Sequence, residues 1–185
     1  MKVAVCRYAV GKPSGFDEFA TRQRQLLAQA ATQGAQVAVL PEYLALELAA
    51  TFPEEVYSDL HASLAAIQPL RGAWNELFAA LARDTGMHVV AGSFLLRLPS
   101  GHYRNRSDLF APDGGHHWQD KLQLTGFEKA SGVIEAGDAL KVAALDGIRA
   151  GISICYDSEF PLPVRAQYEA GARLLLVPSC TDTAA

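Results

Sequence analysis

The chain has 185 residues, half of them hydrophobic and 19% charged, with a formal net charge of −4. This length suggests one domain over 1–185 with ample core, and the composition is that of an ordinary globular protein. No basic cluster favours nucleic acid, and no apolar run approaches the roughly 20 residues that span a bilayer.

The opening segment, MKVAVCRYAV, has no long apolar stretch followed by a cleavage site, so it reads as a strand and not as a signal peptide. The three cysteines, Cys6, Cys155 and Cys180, are widely spaced and form no CxxC pair. They argue against a disulfide framework or a zinc site, and a cytoplasmic setting fits them best. In that setting the glycosylation sequon at Asn105-Arg106-Ser107 carries no weight.

Val3 to Tyr8 reads as a short buried strand, and Gly11 to Gly15 as a loop. Phe16 to Gln33 reads as an amphipathic helix capped by Gly34. Gln36 to Leu40 is a continuous apolar strand, stopped by Pro41. This β-α-β opening predicts parallel neighbours joined by a right-handed crossover. Thr51 to Asp59 reads as irregular, and Leu60 to Gly86 as helix interrupted near Pro69. Met87 to Leu98 carries two strand signals around Gly92. Tyr103 to Ala111 and His116 to Lys121 flank a hairpin turn at Pro112-Asp-Gly-Gly115. Leu122 to Gly137 reads as a long irregular segment, a length often tied to function. Ala139 to Leu145 and Arg149 to Ile154 are strands around Asp146-Gly147. Ser158 to Gly171 reads as a helix with Ser158 as N-cap, and Arg173 to Val177 as a last strand. The pattern is layered α/β with a mixed sheet.

Three polar residues follow strand-like runs: Glu42 in "VLPEY", Lys121 in "WQDKLQLTGFE" and Cys155 in "SICYD". Sites in α/β sheets are built at strand C-terminal ends. A thiol needs a base to become a nucleophile, which Glu42 could supply. Lys121 could stabilise a thiolate and then a tetrahedral oxyanion, with the Tyr156 N–H as a second donor. Taken singly, each residue has a plainer reading. Cys155 would be a buried inert cysteine, Glu42 a helix-start carboxylate and Lys121 a solvated lysine. Asp157 and Glu159 read as helix N-terminal charges. Cys6 and Cys180 read as structural, and His116-His117 as a surface pair near a hairpin turn.

In this order, "VLPEY", "DKLQLTGFE" and "ICYDSEFP" resemble the glutamate, lysine and cysteine segments of the nitrilase superfamily, the carbon–nitrogen hydrolases. "YRNRSDLFAPDGG" and "GARLLLVPS" fit the same pattern, and the match runs from Val3 to the end of the chain. The resemblance implies Cys155 as nucleophile, Glu42 as general base, Lys121 as oxyanion stabiliser and Glu128 as an assisting second glutamate. It implies a four-layer αββα sandwich of the nitrilase type, assembled as a homodimer or larger homo-oligomer, with no cofactor or metal. The implied reaction is thiolate attack on a small-molecule amide carbonyl or nitrile carbon, followed by hydrolysis of an acyl-thioester. Two departures stand out. Family members continue well past the cysteine strand, so a C-terminal part of the sandwich is expected to be missing, which would expose sheet edges. Gly132 stands where a bulky aromatic is expected. An inactive fragment or interaction module is the competing expectation. A cysteine–histidine hydrolase ranks last, because no histidine sits in a partner motif.

Overall fold

The computed structural model describes residues 1–181; the last four residues of the expected 1–185 domain lie outside the described residues. The elements run β1 (Val3–Val5), α1 (Phe16–Thr32), β2 (Val37–Val39), α2 (Glu54–Tyr57), α3 (Leu60–Ile67), α4 (Arg71–Thr85), β3 (His88–Val90), β4 (Phe94–Arg97), β5 (Tyr103–Phe110), β6 (His116–Asp120), α5 (Gly126–Ala130), β7 (Val142–Leu145), β8 (Ile148–Ile152), α6 (Pro161–Glu169) and β9 (Leu174–Leu176). Single 3-10 turns occupy Leu44–Thr51, Gln68–Leu70 and Cys155–Glu159.

The strands form two sheets. In the first, β1, β2 and β3 run parallel, and β5 lies antiparallel to both β3 and β4. The hairpin partner β6 lies on the other side of β5. In the second sheet β8 pairs antiparallel with β7 and parallel with β9. The period-2 alternation of strands sorts the side chains between two cores. Val37, Val39, Val90 and Leu109 face Ala143, Leu145, Ala150, Ile152 and Leu176 of the second sheet. Ala38, Val89 and Phe110 face the other way, onto Phe19, Leu27, Trp74 and Phe78 of α1 and α4. On the far side, Gln167 of α6 reaches the second sheet by donating to the Ile152 carbonyl at 2.9 Å. The layers are therefore helix, sheet, sheet, helix, the αββα sandwich of the expectation.

Several element boundaries differ from the sequence reading. β1 stops at Val5, so Cys6 lies beyond it, although its N–H still donates to the Val39 carbonyl at 3.3 Å. The stretch Leu122 to Gly137 contains α5, and Thr51 to Asp59 contains α2. The helix after Cys155 comes in two pieces, a 3-10 turn and then α6 with Pro161 in its first turn. Ser158 does not cap α6; its hydroxyl donates to the Cys155 carbonyl at 2.7 Å. Gly92, between β3 and β4, has φ 66, and a Cβ there would overlap the Pro41 carbonyl oxygen. Only glycine lets that kink press against the peptide that leads into Glu42.

Candidate active site

Glu42 follows β2, Lys121 follows β6 and Cys155 follows β8, so each emerges at a strand C-terminal end. The Lys121 ammonium donates to Glu42 Oε1 at 2.8 Å and to Glu128 Oε2 at 2.9 Å. All three side chains are buried. The plain reading of Lys121 as a solvated lysine is thus overturned, and Glu128 lies in the interior instead of on the surface. Buried charges persist only when paired and hydrogen-bonded, and here every carboxylate has several donors. Glu128 accepts from Tyr43 Oη at 2.7 Å, the Thr125 N–H at 2.9 Å and Asn105 Nδ2 at 3.1 Å. The same Asn105 amide donates to Glu42 Oε1 at 2.9 Å. Lys121 is itself registered by its backbone, whose N–H donates to the Asn105 carbonyl at 2.9 Å.

Cys155 sits at a strained elbow with φ 47, in the left-handed region that non-glycine residues avoid. Such strain persists only where the surroundings over-determine it, and they do so here. The Cys155 N–H donates to the Pro178 carbonyl at 2.9 Å. Asp157 is buried and accepts from the N–H groups of Ile154, Leu122 and Gln123 at 3.2, 3.0 and 2.6 Å. It ties the elbow to the segment that follows Lys121. The sequence reading of Asp157 as a helix N-terminal charge misses this cross-link. Tyr43, next to Glu42, is also left-handed at φ 60, held by its N–H donating to Ser93 Oγ at 2.8 Å. The Tyr156 N–H has no acceptor among the described residues.

Cys155 and Glu42 are near enough for each to shift the other's protonation. Burial pushes Glu42 above the usual carboxylate range, against the pull of Lys121. Burial and the Glu42 charge push Cys155 above the usual thiol range, and Lys121 only partly offsets them. Burial works against the Lys121 ammonium, but Glu42 and Glu128 outweigh it and hold the amine protonated. Glu128 is held down by the Thr125 N–H, Lys121 and Tyr43 despite its burial. A thiol and a carboxyl group, both pushed up by burial, thus share the site, with the Lys121 ammonium bonded to the carboxyl.

A cavity of about 760 Å³ opens beside Glu42 and Tyr43, with Cys6 and Cys180 in its wall. Both cysteines, read as structural, line this cavity. The Cys180 carbonyl lies 3.9 Å from Cys155 Sγ. His116 and His117 are exposed, as read; the His116 ring lies 3.0 Å from Asp108 Oδ1, and the two Asp108 carboxylate oxygens each accept one bond from Arg71. Among the described residues no cluster of three or more histidine, cysteine or acidic side chains could hold a metal ion. No helix among them is long and apolar enough to cross a membrane.

The profile described as carbon-nitrogen hydrolase matches residues 2–184. The chain belongs to the carbon–nitrogen hydrolase family. It is 30% identical over 182 residues to the "Probable hydrolase YhcX" of Bacillus subtilis (strain 168), covering 98% of this chain and 35% of that protein. It is 26% identical to the omega-amidase NIT2-B of Xenopus laevis, covering 83% of this chain and 55% of the relative. Among solved structures it resembles the amidase of Nesterenkonia sp. AN1, with a TM-score of 0.72 and 25% identity, over 97% of this chain and 66% of the other. The chain thus spans about a third to a half of the length of these curated relatives. Two residues bonded to this network, Asn105 and Thr125, were not picked out as site residues in the sequence. Asn105 is a polar residue on the buried face of β5, two residues from Tyr103 and Ser107, which are also buried. Thr125 and Glu128 form a capping box on α5, a T-x-x-E pattern visible in "TGFE".

Proposed function

We propose that this chain hydrolyses the carbon–nitrogen bond of a small-molecule amide through a Cys155 acyl-thioester. The observation that carries the reading is the single buried ammonium of Lys121 bridging Glu42 and Glu128, with Glu42 and Cys155 each at a strand C-terminal end and each shifting the other's protonation. Cys155 Sγ attacks the carbonyl carbon while Glu42 takes the thiol proton. The carbonyl π electrons move onto oxygen, where the Tyr156 N–H and the third N–H of Lys121 receive the charge. Glu42 returns its proton to the leaving nitrogen, and ammonia or an amine departs. Water, deprotonated by Glu42, then attacks the thioester carbon and releases the carboxylic acid and the thiol. Glu128 is a positioning residue, accepting a second bond from the Lys121 ammonium. Burial pushes Glu42 above the usual carboxylate range, which suits it both to accept and to return a proton.

The omega-amidase and amidase relatives favour an amide over a nitrile. The small-molecule substrate is met by this chain as a homodimer or larger assembly in the same proposal, which sedimentation of the purified protein checks. The test of the chemistry is ammonia and carboxylic-acid release from a panel of primary amides and the matching nitriles. Release from amides that disappears in both Cys155→Ala and Glu42→Gln is the expected result. Release that survives Cys155→Ala would contradict it. No release from any amide or nitrile would favour the interaction module.

A further inference from the structure

The cavity beside Glu42 extends to the loop between β1 and α1, where Lys12 lines it. Its charges are unequally matched. Glu42 is paired with Lys121. Glu47, the other acid in the wall, accepts from Arg22 Nη1 at 2.6 Å, from the Gly11 N–H at 2.8 Å and from Tyr8 Oη. Lys12 is the one cation among the described lining residues, and none of the described ion pairs includes it. Its ammonium instead lies 5.1 Å from the centre of the ring of Tyr57, another lining residue.

The loop that presents Lys12 is pinned on both sides of it. A Cβ at Gly11 would overlap both Arg22 Nη1 and Glu47 Oε1, so only glycine fits against that ion pair. Pro13 is buried, and the Ser14 N–H and hydroxyl donate to Glu18 Oε2 at 2.8 and 2.6 Å. Lys12 is thereby held at the rim while its neighbours are fixed, which lowers the ordering cost of using it as a ligand group. The Arg22–Glu47 pair, with Glu47 buried and Arg22 partly exposed, leaves no net charge on the wall beside it. An incoming molecule therefore meets the Glu42 end, where a carbonyl would react, and a single positive group elsewhere in the same space.

We infer that Lys12 determines substrate choice by receiving a carboxylate at the end of the amide substrate remote from the scissile bond. This rests on the amide-hydrolase reading above. One ammonium with no second cation in the described wall matches a monoanion better than a phosphate dianion. The Tyr57 ring beside it can pack against the apolar carbons that separate carboxylate from amide.

The test compares glutaramate with pentanamide and 5-aminopentanamide, three five-carbon primary amides that differ in terminal charge. The wild-type chain is expected to prefer glutaramate to pentanamide by about tenfold in kcat/KM, the size of one charge-assisted hydrogen bond. Lys12→Met is expected to collapse that ratio toward one through KM for glutaramate, with kcat within about twofold, and Lys12→Arg to retain it. Added salt is expected to shrink the preference. Equal handling of the three amides by the wild type, or an equal loss for charged and neutral amides in Lys12→Met, would overturn the assignment and leave amide hydrolysis standing. Calorimetry with glutarate covers the case of no turnover. Glutarate binding that Lys12→Met removes would sustain the carboxylate site while the amidase reading falls; no binding would overturn it. Inorganic phosphate binding more tightly than glutarate would also overturn it.

Discussion

Glu42, Lys121 and Glu128 are held by side-chain partners on nearly every side, whereas Cys155 is held through its backbone. The triad shares Asn105, Tyr43 and Thr125, drawn from three separate segments of the chain. The elbow relies on carbonyl and amide contacts to Pro178, Ile154, Leu122 and Gln123, most of them relayed by Asp157. The difference teaches how the two halves can fail. A side-chain network collapses when a charge loses its partner. A strained backbone relaxes when its braces go, and the nucleophile swings away while the network stays intact.

Removing the central cation should give the largest effect on stability. Lys121→Met leaves two buried carboxylates without their shared partner, and a broken buried pair costs about 3–5 kcal/mol. Denaturant unfolding measures it, and a loss below about 1 kcal/mol would show that the network is looser than its geometry. Removing the brace should cost less stability and relatively more activity. Asp157→Ala leaves three backbone N–H groups short of their acceptor, at about 1–3 kcal/mol, and frees the elbow. Amide turnover is expected to fall further than the folded fraction does. Turnover falling only in step with folding would make Asp157 a general stabiliser and not a brace of the elbow.

The smallest effect isolates the strain itself. Cys155→Ala and Cys155→Gly both delete the sulfur, but only glycine is at ease at φ 47. Cys155→Gly is expected to be more stable than Cys155→Ala by about 1 kcal/mol, the reverse of their order in a helix. Thermal or denaturant unfolding of the pair reads the difference directly. Alanine as the more stable variant would mean that the elbow carries no backbone strain.

Much of this architecture was legible because it is local. Strand-like runs ending at Pro41, Lys121 and Cys155 placed three candidate groups at strand ends, and helical spacing found α1. What escaped reading depends on contacts far apart in sequence. Asn105 reaches Glu42 across 63 residues, and Tyr43 reaches Glu128 across 85. Neither has a local signature, since an asparagine in a strand or a tyrosine after a proline is compatible with many environments. Asp157 does lie in the first turn of a helical stretch and accept from the Ile154 N–H, as a helix N-terminal charge would, but its further partners Leu122 and Gln123 are 35 and 34 residues away and left no local signal. The short α5 escaped because five residues give too little periodicity to register. Its capping box was the usable signal.

The most direct test of the central claim, that Cys155 and Glu42 act as a proton-sharing pair, needs no substrate. It is the pH dependence of Cys155 alkylation by iodoacetamide, followed by peptide mass spectrometry in the wild type and in Glu42→Gln. Thiolate is the reacting form, so the rate rises with pH through the thiol's own pKa. Burial and the adjacent Glu42 charge put the wild-type midpoint above the ordinary thiol range. Glu42→Gln removes the charge and keeps the burial, so the Cys155 midpoint is expected to fall, with Cys6 as the unshifted internal control. An identical Cys155 midpoint in the two proteins would contradict the account, because it would mean that the carboxylate and the thiol do not meet.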